Sequence, residues 1–325
     1  MGILLLILGL VLLVFGAEVM VRGAARTATV LGVPPMVIGL TVVAIGTSTP
    51  ELAVSISAGL KGSGGLGVGN IAGANVFVML FVMGLSALWK PLPLQAQVIR
   101  LELPMIVVAA LMMTALAWDG RLSQLDGLIL LGGGIGYTLA LLRMTRRASR
   151  AARKEFRDEY GPQTVHRKHP RWLADAGYVV MLLGGIALVV TGAELLVRGA
   201  VSIAEAAGVS TGLIGLTIVA FGTSSPELVT TLVATYRDDR DVAVGNLVGS
   251  GVYNILAILA IACAVTPGGL PVERRLLSFD LPLMAGVAIG AVPVFITGRR
   301  VSRFEGGLGI AIYLSYLTWL VVTRT

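Results

Sequence analysis

Long uninterrupted runs of apolar residues follow one another along most of this chain. Ten of them are about 20 residues long, the length at which an α-helix crosses a hydrocarbon core of roughly 30 Å. The pattern therefore predicts an all-α membrane protein with ten transmembrane helices. The predicted helices lie at approximately 2–21, 34–59, 67–88, 99–118, 125–142, 173–197, 211–234, 241–264, 279–297 and 304–322.

Composition supports a membrane location. The chain of 325 residues is 56% hydrophobic and only 13% charged, and its mean hydropathy is +0.88. A soluble domain of this size does not need so little charge. A single cysteine, Cys263, excludes a disulfide within the chain, and its apolar surroundings indicate a small buried side chain.

Positive charge is concentrated in one segment between two groups of five predicted helices. Ten of the 25 basic residues lie between Arg143 and Arg171. Few aromatic residues alternate with these charges, so we expect no nucleic-acid partner. We interpret 143–172 as a basic cytoplasmic loop obeying the positive-inside rule, which places the amino terminus outside. Arg22 and Arg26 then lie on the inside.

The chain contains the same sequence twice. Residues 16–80 align with 192–256 without a gap, and nearly half of the aligned positions are identical. Each copy belongs to a half with five predicted helices, 1–142 and 173–325. Because five is odd, the second half must enter the membrane from the opposite side. The repeat is therefore predicted to be inverted, a plan typical of secondary transporters that bind substrate near the bilayer midplane.

The most informative copies are the segments A-I-G-T-S-T-P-E, ending at Glu51, and A-F-G-T-S-S-P-E, ending at Glu227. Each contains a proline deep within an apolar run. Proline has no N–H, so we expect the carbonyls of Gly46 and Gly222 to lose their helical partners. In lipid, freed carbonyls must line a cavity or contact an ion.

An ionised acid at the centre of a membrane costs on the order of 3 kcal/mol, so two of them point to an ion pathway. The structural alternative is a polar kink with neutral, protonated glutamates. Calcium takes six to eight oxygen ligands and favours carboxylates and carbonyls. On the next helix of the second half, Ser250 and Asn254 share one face. The hydroxyl groups beside the glutamates belong to Thr47, Ser48, Thr49, Thr223, Ser224 and Ser225.

The paired segments resemble the two repeats of the calcium/cation antiporter superfamily, specifically its prokaryotic sodium/calcium exchanger branch. G-T-S-x-P-E occurs twice, each time followed by G-N-x-x-G. The resemblance implies a prokaryotic plasma-membrane antiporter that exchanges Ca²⁺ for Na⁺ by alternating access, without a cofactor or covalent chemistry, and is functional as a monomer. The ion ligands that it implies are Ala44, Thr47, Ser48, Glu51, Ala220, Thr223, Ser224, Glu227 and Ser250.

The sequence departs from the family pattern in the helix after each kink. The first half has Ala74 and Val78 where the family usually has polar ligands. The second half keeps Ser250 but has Gly251, and Asn254 stands where related exchangers commonly have aspartate or asparagine. These changes remove oxygens from one side of the predicted site, so the number of sodium sites is open.

Three alternatives to sodium/calcium exchange remain. The first is a proton-coupled Ca²⁺ or Na⁺ antiporter, which usually has an acidic residue beside its G-N motif. No acidic residue stands beside the G-N motifs at Asn70 and Asn246. An ion channel would tolerate an uncoupled pore, whereas paired acids on broken helices favour a site that closes. An intramembrane enzyme is disfavoured because no H-E-x-x-H motif and no histidine occurs at membrane depth.

Overall fold

The computed structural model describes residues 2–160, 172–207 and 220–324, and most of these residues are helical. Apolar runs without charge form helices here because a helix satisfies its own backbone hydrogen bonds within lipid. The helices are α1 Gly2–Leu31, α2 Pro35–Thr47, α3 Thr49–Leu60, α4 Gly64–Trp89, α5 Val98–Asp119, α6 Gln124–Tyr160, α7 Trp172–Ala206, α8 Ala220–Thr223, α9 Ser225–Tyr236, α10 Arg240–Val265, α11 Leu276–Gly298 and α12 Arg303–Arg324.

Seven helices of the described chain are long and apolar enough to cross a membrane, and α2 with α3 forms an eighth span bent by 40°. The chain is therefore a multi-pass integral membrane protein. The predicted span 211–234 begins outside the described residues, and α12 covers the predicted span 304–322. The count of ten spans and the inverted relation of the halves stay predictions.

The predicted basic loop differs from the structure at its beginning. Helix α6 does not end near residue 142 but continues to Tyr160. Alanine, arginine, lysine and glutamate dominate this continuation, and all four favour a helix. The positive charge therefore starts on a helical extension, while 161–171 lies outside the described residues.

In the described part of the chain, four strands of two residues each lie in the connections between helices, and the all-α prediction omitted them. They are β1 Leu92–Pro93, β2 Arg121–Leu122, β3 Leu270–Pro271 and β4 Arg300–Val301. β1 pairs antiparallel with β4, and β2 pairs antiparallel with β3. Each pair joins one half of the chain to the other.

Helices α4 and α10 form the centre of the molecule. In the most apolar stretch of 18 residues, 72% of the residues are buried in α4 and 78% in α10. The other long apolar helices of the described chain have 28% to 39% of that stretch buried. Both helices contain a π-helical segment, Phe77–Val82 in α4 and Asn254–Leu259 in α10, as α2, α5 and α11 also do. Such segments interrupt the regular helical hydrogen bonding and are frequent at functional sites.

Helices α1 and α7 pack against each other through glycines spaced seven residues apart. A Cβ atom on Gly185 would lie 2.5 Å from the backbone nitrogen of Met20, and one on Gly16 would lie 2.7 Å from the Cβ of Leu188. The backbones of the two helices are therefore closer than any larger residue permits. The glycines of this contact are Gly9, Gly16, Gly23, Gly185, Gly192 and Gly199.

We expect Gly185→Ala to destabilise the protein, because a backbone shift between α1 and α7 is needed to admit the methyl group. Overpacking of this kind costs about 1–3 kcal/mol. The neighbouring Gly184→Ala is the matched control, since a Cβ atom there meets no described residue within 4 Å. Thermal unfolding in detergent should show a lower Tm for Gly185→Ala alone. Equal Tm values for the two variants would contradict the packing argument.

Candidate cation-binding site

Each proline-containing motif bends the chain at a serine. Ser48 lies between α2 and α3 with φ −82° and ψ 11°, and Ser224 lies between α8 and α9 with φ −91° and ψ 9°. The proline that follows occupies the first turn of the new helix, where its missing N–H is not needed. Glu51 and Glu227 are also in these first turns. The positive end of a helix dipole therefore faces each carboxylate.

The two carbonyls that lose a helical hydrogen bond because of the prolines each accept one from a side chain instead. Gly46 O accepts a hydrogen bond of 2.8 Å from the Thr49 hydroxyl, and Gly222 O accepts one of 2.7 Å from the Ser225 hydroxyl. The sequence predicted the loss of the helical partner but not this replacement. A hydroxyl one residue before each proline is close enough to bond the carbonyl three residues back.

The two glutamates are fully buried, with 0% of each residue exposed. Ser224 donates a hydrogen bond of 2.9 Å to Glu51 Oε1, and Ser48 donates one of 3.0 Å to Glu227 Oε1. The serine of each motif thus binds the glutamate of the other motif. The structure therefore brings both carboxylates into one shared interior region.

The threonines and asparagines repeat this exchange between the halves. Thr47 Oγ1 lies 3.2 Å from Asn246 Oδ1, and Thr223 Oγ1 lies 3.3 Å from Asn70 Oδ1. Asn246 also donates to the Thr231 hydroxyl of α9 at 3.1 Å. Both asparagines therefore bond between helices and hold each bent segment against the central helix of the opposite half.

Several buried polar atoms of this region have no hydrogen-bond partner among the described residues. They include Glu51 Oε2, Glu227 Oε2, Ser250 Oγ and both amide atoms of Asn254. Asn246, Ser250 and Asn254 follow one another every four residues and so lie along one face of α10. Since Asn246 bonds to both motif regions, this face turns toward the carboxylates. Buried polar atoms without partners require an explanation, and a bound ion is one.

The two remaining predicted ligands are the alanines Ala44 and Ala220, which were expected to bind the ion through their backbone carbonyls. Ala44 is buried, and its carbonyl lies 3.2 Å from the Thr47 hydroxyl. Ala220 is the first residue of α8, and its side chain lies outside the described part of the chain. The assignment of both residues as backbone ligands stays a prediction.

The chemistry of the region suits a hard cation. Among the described residues, no basic side chain pairs with Glu51 or Glu227, and no cluster of three or more histidine, cysteine, aspartate or glutamate side chains could hold a metal. Two carboxylates, hydroxyls and an amide remain as oxygen donors. Oxygen donors of this kind match calcium or sodium better than soft transition metals.

The site is asymmetric, and sequence reasoning missed one of its polar groups. Ala74 and Val78 are buried in α4 and bring no oxygen. Asn75 beside them is 3% exposed, and its Oδ1 has no partner among the described residues. A Cβ atom on Gly251 would lie 3.7 Å from that oxygen. Asn75 therefore faces the glycine that replaces its counterpart, and an asparagine within the apolar run 67–88 was the available signal.

Two further buried acids were also missed, one in each half. Glu102 accepts a hydrogen bond from Tyr137, and Asp280 accepts one of 3.0 Å from Tyr316. Tyr137 contacts Tyr253 edge to face, with ring centroids 5.6 Å apart, and Tyr253 directly precedes Asn254. Glu102 is therefore connected through Tyr137 to the central helix α10. Acidic residues at the edge of apolar runs were the signal that could have found them.

Comparisons with known proteins find one matching family and several relatives that cover most of the chain. The family described as "Sodium/calcium exchanger protein" matches residues 1–143 and 177–322. The sodium/calcium exchanger MaX1 of Methanosarcina acetivorans is 30% identical over an alignment 345 positions long, which covers 98% of this chain and 97% of that protein. The inner membrane protein YrbG of Escherichia coli is 33% identical, covering 90% of this chain and 87% of its own length.

Solved structures give the same result. A structure of the sodium-calcium exchanger NCX_Mj, soaked with Na⁺ and Ca²⁺, superimposes with a TM-score of 0.82 at 29% sequence identity. The match covers 98% of this chain and 97% of that one. The similarity therefore extends over both halves.

Proposed function

This chain belongs to the sodium/calcium exchanger protein family, and from that premise we propose that it exchanges Ca²⁺ for Na⁺ by alternating access. Membership of the family makes the protein a cation antiporter. The observation that carries the finer proposal is the pair of fully buried glutamates, Glu51 and Glu227, each with one carboxylate oxygen unpartnered among the described residues. A divalent cation between them would satisfy both oxygens and balance both charges.

Charge balance gives the reason for exchange instead of leak. With both glutamates ionised, an empty site carries two negative charges in a region of low dielectric, which opposes closure around it. One Ca²⁺, or two or three Na⁺, removes that penalty. Loaded forms then change their facing and empty forms do not. Uncoupled downhill calcium leak at the rate of exchange would overturn this mechanism.

The proposed ligands divide by chemistry. The two glutamates supply charge, while hydroxyl, carbonyl and amide oxygens complete the coordination that calcium requires. The reciprocal bonds from Ser48 and Ser224 support this division, because each leaves the second oxygen of a carboxylate available. The proposed neutral ligands are Ala44, Thr47, Ser48, Ala220, Thr223, Ser224, Ser250 and Asn254.

Sodium is proposed as the coupling ion over protons. The sequence places no acid beside the G-N motifs at Asn70 and Asn246, and the named relative MaX1 is a sodium/calcium exchanger. Proteoliposomes should take up labelled calcium when a sodium gradient is imposed and the pH gradient is collapsed. If calcium moves only with a proton gradient, the proton-coupled alternative replaces this proposal.

We assign the protein to a prokaryotic inner membrane with its amino terminus outside, working as a monomer. The name of YrbG supports the membrane, and the basic segment that begins within α6 supports the orientation. Cysteines introduced at the two ends of α1 would react with an impermeant thiol reagent from opposite sides of the membrane. Labelling of the amino-terminal end from the cytoplasm alone would reverse the assignment.

Restoring a hydroxyl by Ala74→Ser should strengthen competition by sodium. Ala74 is the counterpart of Ser250 and is buried in α4, so a serine there adds one oxygen to the poorer side of the site. Calcium binding measured at rising sodium should show a lower inhibitory sodium concentration than in the wild type. Ala87→Ser is a suitable control, since Ala87 is also a buried alanine of α4 but lies near the far end of the helix, beside Trp89. An unchanged sodium dependence in Ala74→Ser would place residue 74 outside the sodium sites.

A further inference from the structure

A basic cavity lies apart from Glu51 and Glu227, near the carboxyl-terminal end of α1. It has a volume of about 790 Å³ and opens between α1, α7 and the turn that joins α9 to α10. Three of its lining residues are Arg22, Arg26 and Arg237, against one acid, Asp239. Neither the sequence motifs nor the proposed exchange mechanism accounts for this concentration of guanidinium groups.

The three arginines differ in their partners. Glu18 forms ion pairs with both Arg22 and Arg237, so these two are partly neutralised and held in place. Arg26 is exposed and forms no ion pair with any residue in the described part of the chain. Among the residues that the structure describes, the cavity therefore presents one guanidinium without an ion pair beside two that Glu18 binds.

The level of this cavity matches the membrane surface. Trp89 and Tyr236 contact each other with ring centroids 5.7 Å apart, and they are 49% and 66% exposed. Tyr236 directly precedes Arg237. Exposed tryptophan and tyrosine mark the headgroup level of a bilayer. On α7, Val180 is 68% exposed two residues beyond Tyr178, so apolar surface continues from the cavity toward the lipid.

The internal repeat provides a comparison within the same chain. In the aligned second copy, Arg22 corresponds to Arg198, but Arg26 corresponds to Ser202. Arg237 corresponds to Lys61 of the first copy. Since the equivalent helix keeps its packing without the counterpart of Arg26, that arginine is not needed to form the fold. It occurs only at the end that charge distribution places in the cytoplasm.

We propose that Arg22, Arg26 and Arg237 bind the phosphate group of an anionic phospholipid from the cytoplasmic leaflet. The guanidinium fork matches phosphate oxygens in pairs, which favours arginine over lysine at such a site. Basic pockets between membrane helices on the cytoplasmic side are suited to lipid headgroups. Free phosphate has the same charge chemistry, but the apolar surface beside the cavity favours a ligand with acyl chains.

The test compares lipid binding by purified protein without measuring transport. Phosphatidylglycerol is titrated into the detergent-solubilised protein, and bound lipid is counted by native mass spectrometry while Tm is followed. Arg26→Ser installs the residue of the second copy. Arg198→Ser is the control, because it also replaces an exposed arginine by serine, at the counterpart of Arg22 in the second copy, and Arg198 does not line the cavity. Phosphatidylcholine and inorganic phosphate are the two ligand controls.

We expect phosphatidylglycerol to bind and to raise Tm, whereas phosphatidylcholine and inorganic phosphate do not. Arg26→Ser should weaken retention about fivefold, which corresponds to about 1 kcal/mol for one basic residue near the membrane surface. Arg198→Ser should bind like the wild type. Arg26→Lys, which keeps the charge, should lose less than Arg26→Ser. An unchanged Tm of Arg26→Ser without lipid shows that its loss of binding does not come from misfolding.

Three results would overturn the proposal. Unchanged retention by Arg26→Ser would remove the residue from the site. An equal loss in Arg198→Ser would indicate general attraction to a basic protein. Equal stabilisation by inorganic phosphate would assign the cavity to a soluble anion instead of a lipid.

Discussion

Glu51→Gln and Glu227→Gln are each expected to abolish calcium uptake while leaving the protein folded and inserted. Glutamine has nearly the same volume and can still accept the hydrogen bond that Ser224 or Ser48 donates to the carboxylate. It lacks the negative charge that balances a divalent cation in a region of low dielectric. Removing one partner of a buried charge pair costs about 3 kcal/mol or more, which corresponds to over a hundredfold in affinity.

The measurement is labelled-calcium uptake into proteoliposomes under a sodium gradient, with calcium binding to the detergent-solubilised protein beside it. Glu194→Gln is the matched control, because Glu194 is an exposed glutamate paired with Arg198 and is remote from the buried region. It should transport like the wild type. Near-normal uptake by Glu51→Gln or Glu227→Gln, with intact size-exclusion profiles, would remove that residue from the proposed site.

Asn254→Val has the second largest expected effect, because it copies the residue that the first half carries at the equivalent position, Val78. Asn254 is fully buried, and neither of its amide atoms has a partner among the described residues. If its oxygen binds a cation, valine removes that ligand without adding bulk. The loss of a buried polar partner costs about 1–3 kcal/mol, so calcium affinity should fall by roughly tenfold or more.

Isothermal titration of calcium into the purified variants would measure this change. Asn254→Asp keeps an oxygen at the same place and should retain binding. Ser86→Ala is the control for burial, since Ser86 is also a buried hydroxyl without a partner among the described residues but belongs to the far end of α4. If Asn254→Val binds calcium like Ser86→Ala, the ion does not contact residue 254.

The motifs of the site were readable because duplication repeats a local pattern. Proline fixes the break in each helix, and a glutamate one residue later falls in the first turn of the next helix regardless of the surroundings. Sequence reasoning therefore located Glu51 and Glu227 and the bends beside them. Asn75 and Glu102 escaped it, since a lone polar residue in or beside an apolar run does not reveal which helix it faces.

The sequence by itself determined what depends on neighbours along the chain: the apolar runs, the two broken segments and the residue types that they carry. Only the tertiary structure decided in which half of the chain each polar side chain finds its hydrogen-bond partner. Ser48 is three residues from Glu51, yet it bonds Glu227, and Ser224 bonds Glu51 in return.

The physical reason is that a hydroxyl takes whichever acceptor the packing of helices brings within about 3 Å, and that packing depends on contacts far apart in sequence. The same applies to Tyr137 with Glu102, and to Arg237 with Glu18. Periodicity determines where helices form. The close contacts between helices, through glycine on α1 and α7 and through the central α4 and α10, determine which polar groups share an interior.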